Sequence, residues 1–176
     1  MIILYVLLTT QGIELKTSAY NYVWLINSIG QSEEQNIAGD FVTVQTLLAI
    51  AHSSIVPLSF ALEKGSPYEM QWETIIPVIA ADIGGGLLGG HLGGMICRGW
   101  VSKDESDVRA FFKSLVAGLF AGLVWGGTTS AAWAITTRDY TQTGRPDGYD
   151  VSMYGSVAGC VILSSITHAI VVVLRK

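Results

Sequence analysis

Charged side chains are missing from four long stretches of this sequence, which together make up more than half of it. Of 14 acidic and 10 basic residues, only Asp82 falls within residues 41–62, 75–97, 114–137 and 151–174. A helix rises about 1.5 Å per residue, so about 20 apolar residues cross a hydrocarbon core of about 30 Å. The scarcity of charge therefore argues against a water-soluble domain and predicts an all-α integral membrane protein with four transmembrane helices.

Basic residues and cysteines are also few. The formal net charge of -4 leaves no basic surface for nucleic acid, so we do not expect a nucleic-acid partner. Two cysteines cannot build a disulfide framework. Cys97 falls at the end of one apolar stretch and Cys160 near the middle of another. We therefore expect the two thiols at different depths, where they cannot form a bridge.

Sequence motifs for catalysis of the soluble-enzyme type are missing as well. The chain has no GxSxG, no HExxH, no phosphate-binding GxxxxGK and no CxxC. Its glycine-rich run, residues 84–94, lies inside an apolar stretch and not in a strand-to-helix turn. We therefore expect a protein that is not an enzyme, with no catalytic residue and no metal site.

The N-terminal part differs in character from the rest of the chain. We predict an interfacial, amphipathic segment over residues 1–39 and a four-helix transmembrane domain over residues 40–176. Residues 1–10 are apolar but too short to cross a bilayer, and they lack the basic start and cleavage site of a secretory signal. Tyrosine and tryptophan in residues 14–29 favour an element at the membrane interface. A cleaved signal peptide is the alternative for the first ten residues.

Glycine is plentiful where charge is scarce. It recurs every fourth residue in three of the apolar stretches, and we assign helix packing to Gly85, Gly89, Gly93, Gly86, Gly90, Gly94, Gly118, Gly122, Gly126, Gly155 and Gly159. In lipid, helices gain contact chiefly by close backbone approach through small residues. Two interpretations stay open: the glycines hold the four helices of one chain together, or part of their surface meets helices of a larger assembly.

Asp82 is the one ionisable acid inside an apolar stretch. At 100° per residue it lies within 40° of Gly86 and Gly89, so we expect it to face the same neighbouring helix as the glycines. Its position near the start of the stretch predicts that water or a lipid head group reaches it. Proton or ion handling, a structural hydrogen bond and a partner's cation are the open alternatives.

A polar stripe runs along the first apolar stretch. Gln45, His52 and Ser59 are spaced by seven residues and therefore lie on one helix face. Such a face must meet protein or a water-filled path, because lipid leaves polar groups unpaired. The stripe is the main sequence argument for a channel or transporter.

Two histidines are predicted to lie at the same depth in the membrane. His91 is six residues before Cys97 and His168 is six before Leu174, in helices that run the same way. Both imidazoles should then lie roughly 9 Å from one interface. Two helices arranged in this way can hold haem b between axial histidines, or contact a quinone. Hydrogen bonding between helices is the alternative role of both histidines.

The glycine series and the charged connection between the second and third stretches resemble a known family. The resemblance covers residues 84–127: the connection, 97–104, carries Arg98 and Lys103, and residues 117–122 read AGLFAG. With four apolar stretches, this region resembles the mitochondrial inner-membrane preprotein-translocase family, which includes an accessory subunit of respiratory complex I. The resemblance implies a mitochondrial inner-membrane location and a part in a large assembly, either scaffolding or lining a path for a polypeptide. It implies no catalytic residue.

Three functions follow from these patterns. The leading hypothesis is a non-catalytic structural or accessory subunit of a multisubunit membrane complex. The alternatives are an ion, proton or small-solute channel or transporter, and a redox subunit that binds haem or quinone. We expect bound lipid in each case, and other membrane subunits or a second copy of the chain as partners. The mitochondrial inner membrane is the expected location, with a bacterial or other cellular membrane as the alternative.

Overall fold

The described part of the protein is entirely helical. A computed structural model describes residues 37–54, 72–136 and 148–175, and no strand occurs among them. The helices are α1 (Ile37–Ser53), α2 (Trp72–Trp100), α3 (Asp107–Thr136) and α4 (Gly148–Arg175). Apart from Arg175, these residues belong to a single compact unit. The all-helical prediction is confirmed for the described residues, and the predicted interfacial segment lies almost wholly outside them.

Three helices are long and apolar enough to cross a membrane. They cover Ile75–Trp100, Asp107–Thr136 and Met153–Arg175, which contain most of the second, third and fourth predicted stretches. α1 is a shorter apolar helix of 17 residues. The first predicted stretch is described only as far as Ser54, and its remainder lies outside the described residues.

A short charged turn connects α2 to α3. The backbone N–H of Ser102 donates to Oε2 of Glu105 at 3.4 Å, which satisfies a donor just before α3 begins. Lys113 forms an ion pair with Glu105 at 2.6 Å and also donates to the carbonyl of Trp100 at 2.6 Å. Since the last carbonyls of a helix have no partner within the helix, Lys113 ties the start of α3 to the end of α2.

One glycine stripe of α2 contacts α1. Gly86, Gly90 and Gly94 lie against Ala49, Gln45, Phe41, Val42 and Ala38. A Cβ on Gly90 would lie 2.8 Å from the carbonyl oxygen of Phe41, and one on Gly94 would lie 2.6 Å from the Cα of Ala38. Because the numbers rise along α2 as they fall along α1, the two helices are antiparallel.

The second glycine stripe of α2 contacts α3. Gly85, Gly89 and Gly93 lie against Thr128, Ala121 and Ala117 respectively, so this pair is antiparallel as well. A Cβ on Gly93 would lie 2.9 Å from the carbonyl oxygen of Ala117. The two stripes lie side by side on α2 and therefore serve two different neighbours.

The glycines of α3 contact α4, which completes an up-down-up-down arrangement. A Cβ on Gly118, Gly122 or Gly126 would lie within 2.8 Å of the Cα of Ser165, Val161 or Val157 respectively. α4 returns to α1 through Gln45 and Ser164, and through Phe41 and His168. The four helices thus form a closed ring.

Gly155 and Gly159 take no part in these close approaches. No heavy atom of the described residues outside the local helix backbone lies within 4 Å of a Cβ at either position. α4 meets α3 through Val157 and Val161, which lie on another face of the helix. Their predicted packing role is therefore not seen within the described residues.

Several polar side chains are buried among apolar ones inside the bundle, and large apolar side chains cover much of its outside. The buried polar residues are Gln45, Ser53, Asp82, Ser114, Thr129, Ser156, Ser164, Ser165 and His168. Large apolar residues point outward along the three long helices, among them Leu87, Leu88, Val116, Leu119, Phe120, Leu123, Ile162, Ile166 and Ile170. Water-soluble domains bury such residues and leave most polar ones outside. The distribution is compatible with an integral membrane protein.

Candidate functional site

Asp82 lies in the interior of the bundle. Its side chain is on α2, one turn before Gly86, and it is fully buried. The expectation that water or a head group reaches it is therefore not met by the structure. The reason is tertiary: α1 and α3 cover it with His52 and Trp125, whose rings pack edge to face at 5.4 Å.

One oxygen of the carboxylate meets donors from two helices. Oδ1 of Asp82 accepts a hydrogen bond from the indole Nε1 of Trp125 on α3. The hydroxyl of Thr129, one turn further on, lies 3.1 Å from the same oxygen. Nδ1 of His52 on α1 lies 3.0 Å from it and is placed to donate its N–H. Asp82 therefore joins α1, α2 and α3 at one atom.

The other oxygen of Asp82 is buried without a donor from the described residues. Carboxylates can accept on both oxygens, and buried acceptors are nearly always paired. This atom is therefore an exception that calls for a physical explanation.

Cys160 of α4 completes the surroundings of Asp82. Its thiol is free and buried. The Sγ of Cys160, a ring nitrogen of His52 and a carboxylate oxygen of Asp82 all lie within 4.8 Å of one another. Three helices thus supply a sulfur, a nitrogen and an oxygen to one small volume.

A second polar contact lies further along α1. The amide of Gln45 and the hydroxyl of Ser164 are both fully buried. Nε2 of Gln45 donates to Oγ of Ser164 at 2.8 Å, and that hydroxyl lies 2.9 Å from Oε1 of the same amide. Such a pair between α1 and α4 satisfies groups that lipid cannot hydrogen-bond.

His168 lies one turn beyond Ser164 and is fully buried. Its Nδ1 lies 2.6 Å from the carbonyl oxygen of Ser164, and its Nε2 lies 3.4 Å from the carbonyl oxygen of Phe41. The imidazole also packs on the ring of Phe41, with centroids 3.9 Å apart. Both ring nitrogens therefore face backbone carbonyls of the bundle.

The structure brings together some of the residues that the sequence singled out and separates others. Gln45 and His52 both face the interior, beside Ser164 and Asp82 respectively, whereas Ser59 lies outside the described residues. His91 is exposed on α2 while His168 is enclosed. The role of the two imidazoles in binding haem or quinone stays a prediction from the sequence.

Sequence reasoning missed the partners of Asp82 and a second polar stripe. Ser156, Cys160, Ser164 and His168 follow one another at intervals of four on α4, and all four are buried. That spacing is visible in the sequence and could have indicated an inward polar face. Nothing in the sequence marks Trp125 and Thr129 as partners of Asp82, since their contact depends on how α3 packs.

Comparison with family models, curated proteins and solved structures gives no match. The resemblance to the preprotein-translocase family stays a prediction from the sequence.

Proposed function

We propose that the protein is an integral membrane protein that moves a cation, in the simplest case a proton, by way of Asp82. The observation that carries this proposal is the buried carboxylate. Donors converge on its Oδ1, and no described residue donates to its Oδ2. Ionisable groups at membrane depth are costly and commonly mark ion or proton pathways.

The choice of an acid at this position supports the proposal. An asparagine oxygen accepts the same hydrogen bonds from Trp125 and Thr129 without bringing a charge into the bundle. Asp82 adds an atom that holds a proton or a cation, which an amide does not. A purely structural link between α2 and α3 does not need that property.

The polar interior gives a cation a series of contacts beyond Asp82. His52, beside Asp82, keeps 12% of its side chain exposed, whereas Asp82 has none. The Gln45–Ser164 pair lies seven residues away along α1, about 10 Å. His168 and the Phe41 carbonyl lie about 6 Å beyond that pair.

Apolar clusters lie on either side of this polar section. Ile75, Val78 and Trp133 pack together near the start of α2. Phe41, Cys97, Ala110, Ala117 and Val172 pack together toward its end. Passage of a cation therefore requires the helices to separate at these clusters, and we infer that the bundle is in a closed form.

Proton flux into liposomes tests the proposal. The purified protein is reconstituted with a pH indicator inside, and a potassium diffusion potential drives protons inward. We expect the rate to exceed that of protein-free liposomes and to fall to that level in Asp82→Asn. The matched control is Asp104→Asn, the same change at an exposed turn residue, which should keep the full rate.

Two outcomes contradict the proposal. Either the unmodified protein conducts no faster than protein-free liposomes, or Asp82→Asn conducts as fast as Asp104→Asn. Elution as a single species in detergent establishes that each variant is folded before its flux is compared.

An accessory subunit of a multisubunit membrane complex stays the leading prediction from the sequence alone. That prediction assumed that one of the two glycine stripes of α2 is free to contact a partner protein. In the structure, both stripes contact helices of the same chain. The mitochondrial inner membrane also stays a prediction from the sequence, because it depends on the family resemblance alone. We therefore give the cation proposal precedence.

A further inference from the structure

We propose that His52, Asp82 and Cys160 bind a single divalent transition-metal ion of the zinc type. The inference goes beyond proton movement because it assigns a second kind of occupant to the cluster, and it does not require transport. The three side chains come from α1, α2 and α4, so such an ion would link three helices.

The distances fit a small coordination site. Zinc binds nitrogen and oxygen at about 2.0–2.2 Å and sulfur at about 2.3 Å, so ligand atoms of a tetrahedral site lie roughly 3.5 Å apart. A ring nitrogen of His52, a carboxylate oxygen of Asp82 and the Sγ of Cys160 all lie within 4.8 Å of one another. Separations of up to 4.8 Å exceed this tetrahedral spacing by about 1 Å, a difference that rotation of the three side chains can close.

The charges balance within the bundle. A thiolate and a carboxylate together carry two negative charges, which a divalent ion neutralises, while the imidazole remains neutral. A neutral group of this kind avoids the large desolvation penalty of an isolated buried charge. Metal binding releases the thiol proton of Cys160. The ion also gives a partner to Oδ2 of Asp82, the buried oxygen that has no donor among the described residues.

Neighbouring groups orient the carboxylate for this role. Trp125 and Thr129 approach Oδ1 of Asp82, which leaves Oδ2 directed to another partner. Hydrogen bonds to a ligating carboxylate from outside the coordination shell are a regular feature of metal sites. Imidazole, carboxylate and thiolate together favour zinc or cobalt(II) over magnesium or calcium, which prefer oxygen ligands throughout.

Cobalt(II) titration of the purified protein tests the inference. The protein carries an affinity tag without histidine, is treated with a chelator, and is then titrated with cobalt chloride in detergent. We expect saturation at a single ion per chain, a thiolate-to-cobalt charge-transfer band, and visible bands as intense as those of tetrahedral cobalt. Added zinc should remove the spectrum.

Two cysteine variants identify the ligand. Cys160→Ser should lose the charge-transfer band completely, whereas Cys97→Ser should retain it, because Cys97 lies in an apolar cluster with Phe41 and Val172. Persistence of the band in Cys160→Ser, or its loss in Cys97→Ser, overturns the assignment.

X-ray absorption of the zinc-loaded, unmodified protein provides a test that does not depend on variants. We expect a single sulfur neighbour at about 2.3 Å together with nitrogen and oxygen neighbours. No cobalt spectrum in the unmodified protein, or a zinc shell without sulfur, refutes the site. Proton flux tests the proposed function separately. If the unmodified protein conducts protons but binds no metal, this inference fails and the proposed function stands.

Discussion

The carboxylate of Asp82 on α2 accepts a hydrogen bond from the indole of Trp125 on α3, which is 43 residues away in the sequence. Both side chains are fully buried. The bond joins the two helices in the polar part of the interior, and it holds the oxygen that His52 and Thr129 also approach. Asp82 therefore both holds neighbouring helices together and is the residue of the proposed cation pathway.

Replacing Trp125 by phenylalanine should destabilise the bundle by about 1–3 kcal/mol, because it removes a hydrogen-bond donor from a buried carboxylate oxygen. Unfolding in mixed micelles with increasing SDS measures the change. Trp100→Phe is the matched control: its side chain is 50% exposed, so a change within about 0.5 kcal/mol is expected. Equal stability of the two variants would show that the indole N–H contributes nothing to the fold.

Glycine-to-alanine changes on α3 should separate contact positions from open ones. A Cβ on Gly122 would lie 2.5 Å from the Cα of Val161 and 2.6 Å from the carbonyl oxygen of Cys160, both backbone atoms of α4. Gly122→Ala should therefore cost about 1–3 kcal/mol as the helices move apart. Gly127→Ala has nothing within 4 Å and should change stability by less than about 1 kcal/mol, in the stabilising direction.

The same unfolding series decides between these outcomes. If Gly122→Ala is as stable as Gly127→Ala, the close approach of α3 and α4 is not a feature of the protein in detergent. A loss confined to Gly122→Ala supports it.

The sequence predicted the helices well because their pattern is local. The low charge of residues 75–97, 114–137 and 151–174 marks helices that are long enough to cross a membrane. A spacing of four places Gly85 and Gly89 on one face whatever the helix packs against. Elements defined by their own composition and periodicity can thus be read before the tertiary structure is known.

The surroundings of Asp82 depend instead on tertiary contacts, and the sequence could not supply them. Asp82 lies near the start of its apolar stretch, and this position predicted that water reaches its carboxylate. In the structure, Trp125 of α3 and His52 of α1 cover that carboxylate. His91 and His168 were predicted at one depth. Equal depth does not fix the direction in which each side chain points, and here one is exposed and the other enclosed.

Native mass measurement tests the prediction of a larger assembly. The chain is extracted from its own membrane in mild detergent, and the mass of the intact complex is compared with the 18.9 kDa of one chain. An accessory subunit should appear with other polypeptides in fixed ratio. A stable monomer argues against the accessory role, and a multiple of one mass identifies a homo-oligomer.

The outward apolar side chains of the bundle should contact lipid, while Asp82 stays enclosed among the helices. Spin labels at Leu119 and Ile166, which are 41% and 49% exposed, and at Lys103 in the exposed turn test this in liposomes. Collisions with oxygen, which concentrates in lipid, and with a water-soluble nickel chelate report the surroundings of each label. We predict frequent oxygen and rare nickel collisions at Leu119 and Ile166, and the reverse at Lys103. Nickel collisions at Leu119 as frequent as those at Lys103 would contradict the account, because water would then surround the helices.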